Sequence, residues 1–199
     1  MHTQLPERKR IRLKGYDYSR SGIYFITVCV RYFRYLLGEI VADDTPADSQ
    51  VGNDALIVPP QMRLSEYGKI VVKYTERINV VYRNVEVDHY VVMPNHVHML
   101  LRLDTSAGDG TMRASFPTQR SPSLNTDTDI MQTNAKELKS IIRSWKNVIV
   151  RECGDTFWQR RYHDHIVRNE KDYLRIWEYI DTNAERWASD RYNCSNPDY

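Results

Sequence analysis

Val85 to Leu103, VEVDHYVVMPNHVHMLLRL, constrains this chain more than any other stretch. Two alternating runs rich in β-branched residues flank a Met93-Pro94-Asn95 break. Proline cannot donate to a strand ladder, so the stretch predicts two strands joined at a tight turn. Side chains alternate along a strand, which puts His96 and His98 on one face and Val97 on the other. Two imidazoles side by side on a stiff backbone are half of a metal site.

The chain has 199 residues, enough for one domain over 1–199 with a real core. No apolar run is long enough to span a bilayer, and the basic N-terminus lacks the apolar centre of a signal peptide. Three widely spaced cysteines, Cys29, Cys153 and Cys194, point to a reducing compartment rather than a disulfide framework. A cytoplasmic protein is expected. Net charge is only +2, but the basic residues cluster. Arg8, Lys9, Arg10, Arg12 and Lys14 lie near the start; Lys136, Lys139, Arg143, Lys146 and Arg151 share one expected helix; Arg160, Arg161 and Arg168 follow. Such patches suit phosphate binding, and equally suit a solvated helix face.

Along the chain, Gly22 to Val30 reads as a buried strand, with Tyr35 to Val41 as its hairpin partner. Ala42 to Pro60 reads as a loop, and Leu64 to Ile78 as a helix with Ser65 as its cap. Residues 104–133 lack apolar periodicity and predict a flexible loop insertion. Ala135 to Arg151 has Leu138, Ile141, Ile142, Trp145 and Val148 on one helical face. Phe157 to Val167 reads as extended, Glu170 to Trp187 as a helix, and Ala188 to Tyr199 as a polar tail. An α+β fold follows, an antiparallel sheet with helices packed on it.

The last helix repays an angular reading. Tyr173, Ile176, Trp177, Ile180, Ala184 and Trp187 fall on one stripe, the expected core face. Tyr179 sits about 120° from its centre, where packing does not explain it. Asn183 follows one turn later, and Asp172 and Arg186 share that flank. An off-core tyrosine with an amide oxygen and an arginine nearby suits phosphate chemistry, although off-core tyrosines are common in a chain with 14 of them.

Four segments together carry a resemblance: GYDYSRSGIYFITVCV, VVMPNHVHMLL, FWQRRYHDHIVRNEKDY and EYIDTNAERW. In this order and at these distances the chain resembles REP-associated tyrosine transposases, within the single-tyrosine HUH (insertion-sequence 200-like) transposases. The resemblance covers most of the chain between Lys14 and Trp187. It implies a ferredoxin-like antiparallel sheet with the paired histidines on a central strand. It also implies Tyr179 as the nucleophile that attacks a DNA phosphate, and His96, His98 and Asn183 as ligands of a divalent cation, Mg²⁺ or Mn²⁺. One departure stands out: the family usually has Asn-Pro where this chain has Asn183-Ala184, so the helix need not end at the same place.

A phenol with a pKa of about 10 is a poor nucleophile at neutral pH, and a cation would stabilise charge on the scissile phosphate. The implied product is a 5′-phosphotyrosine with a free 3′-hydroxyl, reversed when a hydroxyl attacks it. The implied partner is single-stranded DNA folded as a hairpin, met by a monomer or a homodimer. Arg10, Arg12, Lys14, Lys139, Arg143, Lys146, Arg160, Arg161, His165, Arg168 and Arg186 are the candidate DNA contacts. His163 with His165 is a rival metal pair, and Tyr162 a rival nucleophile. Trp145, Trp158 and Trp177 are expected in the core. Two other readings compete: a domesticated DNA-binding protein that no longer cleaves, and a hydrolase using the histidine pair alone. The hydrolase lacks a further histidine, since position 100 is Leu.

Overall fold

The computed structural model describes residues 16–41, 60–105 and 137–193. The expected loops over 42–59 and 106–133, and Arg10, Arg12 and Lys14, lie outside the described residues. Four strands form an antiparallel sheet: β1 (Gly22–Cys29), β4 (Val85–Met93), β5 (His96–Leu103) and β6 (His163–Val167), in the spatial order β4-β5-β1-β6. Helix α1 (Glu66–Val81) connects β1 to β4, and α2 (Leu138–Cys153) connects β5 to β6. That βαββαβ order is the ferredoxin-like arrangement expected from the resemblance.

Alternation along β5 decides what each face does. Val97, Met99, Leu101 and Leu103 point into a core closed by Val71 and Ile78 of α1 and by Leu138, Ile141, Ile142, Trp145 and Ile149 of α2. His96, His98 and Leu100 point the other way. There α3 (Glu170–Asp181) lays Ile176 and Ile180 on Leu100. The sheet is thus buried on both faces, with the two imidazoles under the later helix.

The helix ends follow from their residues. Ser65 caps α1, its hydroxyl accepting from the Gly68 amide at 3.1 Å. Asn169 caps α3 by accepting from Asp172 at 2.9 Å. Gly154 closes α2 at φ 70°, a left-handed position that glycine adopts without strain.

Two sequence expectations are corrected. The segment after β1 does not return as its hairpin partner: β2 (Gly38–Val41) pairs with β3 (Gln61–Leu64) in a separate two-stranded sheet. Both sides of β1 are taken, by β5 and β6, so no edge is left for it. The helix expected through Trp187 stops at Asp181. The Thr182 hydroxyl and amide both bond the Glu178 carbonyl, and Asn183 then donates to Ile180 in a tighter turn. Tighter turns keep the three-residue spacing of a helix, which is why the apolar stripe overran the helix end.

Candidate active site

The hairpin turn builds the inner wall of the site. Asn95 is fully buried and donates both amide hydrogens, to the carbonyls of Phe33 (3.1 Å) and Tyr192 (2.6 Å). That fixes which way its amide faces. Asn95 Oδ1 therefore accepts from His96 Nδ1 at 2.9 Å, the proton sits on Nδ1, and His96 Nε2 carries a lone pair. His98 Nδ1 lies 2.9 Å from the hydroxyl of Thr27 on the neighbouring strand. The two Nε2 atoms face each other at 3.0 Å.

Between two fixed imidazoles, this contact has two chemical solutions. Without metal, His98 carries its proton on Nε2 and donates to His96, and Thr27 donates to His98 Nδ1. With a cation between them, His98 carries its proton on Nδ1 and donates to Thr27. A hydroxyl serves either case because it can donate or accept. Thr27→Val keeps the shape and removes that adaptability. Its expected result is Mn²⁺ affinity weakened about 10- to 100-fold, measured by titration calorimetry, with ~1–3 kcal/mol lost from stability because the buried His98 Nδ1 is left without its partner. Equal affinity would show that the threonine does not orient the ring.

Both imidazoles are fully buried, and burial holds them neutral. His96 is pushed down to about 3, chiefly by burial and secondarily by Arg191. His98 is pushed well below its ordinary value by burial, then by His96 and Arg191. Neutral imidazoles are what a cation requires. The unfolded chain takes up protons on these groups below pH about 6.5, where the folded chain does not, so the native state loses stability as pH falls from there towards 3. For His96 alone the loss is roughly 2 kcal/mol between pH 6.5 and 5. Urea unfolding of metal-free protein at the two values measures it, and His96→Gln should flatten the slope. A flat profile in the wild type would mean that the folded protein charges these rings after all.

Tyr179 stands over this pair from α3. Its hydroxyl is 3.3 Å from His98 Nε2 and 3.5 Å from Asp190 Oδ2, and its ring meets Phe25 and His98 edge-on. Burial raises the phenol above its ordinary value, as does Asp190, while Asn183 and Arg191 oppose the rise. Asn183 is itself fully buried, and neither atom of its amide completes a hydrogen bond among the described residues. A buried amide left so costs ~1–3 kcal/mol. It lies near enough to ease ionisation of Tyr179, yet its oxygen is uncommitted.

Two neutral imidazole nitrogens and an uncommitted amide oxygen fit a divalent cation such as Mn²⁺ or Mg²⁺. The described residues hold no cluster of three His, Cys, Asp or Glu, so the third donor would be the amide. Cys29, opposite His96 across the strands, has its thiol pushed up to about 12 by burial and does not compete as a thiolate.

The segment read as a polar tail turns out to close the site. Trp187 and Tyr192 are buried among Cys29 and Met93, and the Tyr192 ring lies 4.5 Å from that of His96. Asp190 accepts from the Tyr192 amide at 2.6 Å, and Tyr35 donates to Asn193 at 2.5 Å. Phe25, Thr27, Asn95, Asp190, Arg191 and Tyr192 are thus site residues that sequence reasoning missed. Their only signal was Tyr192, an aromatic ring in a segment read as a polar tail.

The other candidates are scattered. His165 and Arg186 line a cleft of about 490 Å³ beside Tyr179, and His165 bonds Asp172 at 2.7 Å. His163 shares the face of His98 across β1, but its pairing with Thr27 is a strand register, not a third metal donor. Lys139 and Arg143 are exposed on α2, across the sheet from Tyr179; Arg160, Arg161 and Arg168 are exposed around β6. The Lys146 ammonium is turned inward, donating to the Gln159 carbonyl at 2.8 Å, and burial pushes it down to about 8. Tyr162 packs on the helix-side core. Trp145 and Trp158 are core residues, whereas Trp177 is half-buried and stacks on His89 at 4.2 Å.

No family model matches the chain. A solved REP-associated tyrosine transposase bound to a REP hairpin has the same fold at a TM-score of 0.50, with 19% identity over 86% of this chain and 72% of that one. No helix among the described residues is long and apolar enough to cross a membrane. An uncharacterized protein of Haemophilus influenzae is 31% identical over 187 residues, 92% of each chain, and this chain belongs to its family.

Proposed function

We propose that this chain is a divalent-cation-dependent endonuclease and strand-transfer enzyme acting on single-stranded DNA hairpins through Tyr179. One observation carries the reading: the Tyr179 hydroxyl stands 3.3 Å from a buried pair of imidazoles whose Nε2 atoms face each other at 3.0 Å. The buried, uncommitted amide of Asn183, near enough to Tyr179 to ease its ionisation, supports it. The solved neighbour of this fold is bound to a REP hairpin, which makes hairpin DNA the first substrate to try.

His96, His98 and Asn183 would hold the cation, which supplies positive charge to the phosphate oxygens. The chain's own residues do the rest. Tyr179 Oη attacks phosphorus; a phosphorus–oxygen bond to the tyrosine forms, and the bond to the 3′-oxygen breaks. The phenol gives up one proton and the departing 3′-oxygen gains one. The 5′-phosphotyrosine keeps the energy of the phosphodiester, so attack by a 3′-hydroxyl rejoins the strand. That His96, His98 and Tyr179 meet within one chain supports a tyrosine acting in the copy that carries the histidines. Asn95 and Thr27 keep the imidazoles aimed, and Tyr192 and Trp187 keep bulk water away from them.

The test is a denaturing gel. Labelled hairpin oligonucleotides from the flanking DNA of the gene are incubated with the protein and either Mn²⁺ or EDTA. A covalent adduct that forms only with Mn²⁺ is the expected result. Tight hairpin binding with no adduct, across several hairpins, would leave a DNA-binding protein that does not cut.

A further inference from the structure

The cleft beside Tyr179 is bordered by three arginines from three places in the chain. Arg175 lies one helical turn before the tyrosine, Arg186 in the turns after α3, and Arg191 in the closing segment. The half-buried ring of Phe25 forms part of its wall. About 490 Å³ is room for a stretch of extended backbone, not for a folded partner.

The three arginines are not equivalent. Arg175 is tied to Asp172 at 2.6 Å, and Arg186 lies 4.0 Å from Glu178. Both pairs are exposed on the arginine side and cheap to rearrange. Arg191 has no carboxylate within ion-pair distance among the described residues. Instead it is held at one end, its guanidinium 4.7 Å from the Tyr192 ring centre and donating to the Tyr192 hydroxyl at 2.7 Å. Tyr192 is buried against His96, so the guanidinium is aimed by the same packing that holds the imidazoles. Its guanidinium makes no other hydrogen bond among the described residues, and a guanidinium can grip a phosphate with two N–H groups at once. It lines the same cleft as Tyr179, within reach of a phosphate that the tyrosine would attack. The neighbouring carboxylate, Asp190, is occupied by the Tyr192 amide and by Tyr179.

We propose that this cleft seats the backbone of the strand to be cut, with Arg191 on the scissile phosphate and Arg175 and Arg186 on the phosphates flanking it. Arg191 is then a catalytic residue outside the histidine, tyrosine and asparagine set. The proposal rests on the function proposed above, and its test separates the two.

Arg191→Ala, Arg191→Lys and wild type are compared for single-turnover cutting. Their binding is compared in a Tyr179→Phe background, where the strand stays intact. Two probes are used, a bare hairpin and the same hairpin with single-stranded extensions on both sides. Arg191→Ala is expected to cut at least ~100-fold more slowly, the lower range for a transition-state arginine. It should bind the extended probe about tenfold more weakly and the bare hairpin equally well. Arg191→Lys should recover part of the rate. Mn²⁺ binding, read by paramagnetic resonance, should be unchanged. Cutting within about threefold of wild type would overturn the proposal, as would equal loss on both probes or loss of Mn²⁺ binding. If wild type cuts nothing, the chemistry above fails, while the two-probe comparison still decides what the cleft holds.

Discussion

Tyr179→Phe abolishes the covalent adduct and leaves the protein folded and able to bind hairpin DNA. The substitution removes one oxygen and nothing else. The ring keeps its edge-on contacts with Phe25 and His98, at 5.9 and 5.2 Å between centroids. The bonds it gives up are long ones, 3.3 Å to His98 and 3.5 Å to Asp190, at the weak end of the range. Stability should therefore stay within about 1 kcal/mol of wild type, and hairpin affinity within about twofold. Cutting has no such reserve. Losing a nucleophile typically costs on the order of 10⁶ in rate, which on a gel is complete loss. Wild type and mutant run side by side with Mn²⁺ decide it. An adduct that survives would remove Tyr179 from the chemistry. Tyr162 could not simply replace it, because it packs in the helix-side core with the Lys146 ammonium 6.0 Å from its ring. A hydrolase using activated water would form no adduct and would keep cutting after the substitution, so cleavage that disappears with the tyrosine oxygen discards that reading.

How far the sequence could be read depends on how each piece is specified. The histidine pair is local: alternation on a strand fixes His96 and His98 to one face whatever the rest of the chain does, and the observed register agrees. Tyr179 was legible for a related reason, since a helix of known phase rotates it off the stripe formed by Ile176 and Ile180. The role of Asn183 was visible only through the resemblance and that phase, and the structure puts it beyond the helix end, in a tighter turn. Non-local choices were not legible. The partner of β2 is decided by competition for the edges of β1, which β5 and β6 win through longer ladders. Asp190, Arg191 and Tyr192 sit in irregular chain with no period to detect. They reach the site because Trp187 and Tyr192 bury themselves over His96. Asn95 looked like a turn residue, and its grip on His96 depends on carbonyls of Phe33 and Tyr192 that are distant in sequence.

Asn183→Leu is expected to separate stability from function. The Asn183 amide is buried, with neither its oxygen nor its nitrogen completing a hydrogen bond among the described residues. Leucine has a similar branch point and asks for no partner. Replacing an unsatisfied polar group by an apolar one of like shape is neutral or stabilising, so unfolding in EDTA should show a gain of up to ~1–2 kcal/mol. Overpacking by the larger side chain would offset part of that. With Mn²⁺ the order reverses. Wild type gains stability in proportion to the logarithm of metal concentration over its dissociation constant, and a variant lacking one donor gains less. Affinity should fall at least ~10-fold and cutting at least ~100-fold. The curves of unfolding free energy against Mn²⁺ for the two proteins should therefore cross. Asn183→Asp provides the complementary case: a charged oxygen at the same position should strengthen metal binding and cost stability without metal, because a buried carboxylate is unpaired there. A leucine variant that is less stable without metal, and unchanged in its response to Mn²⁺, would show that Asn183 shapes the turn after α3 and does not reach for a cation.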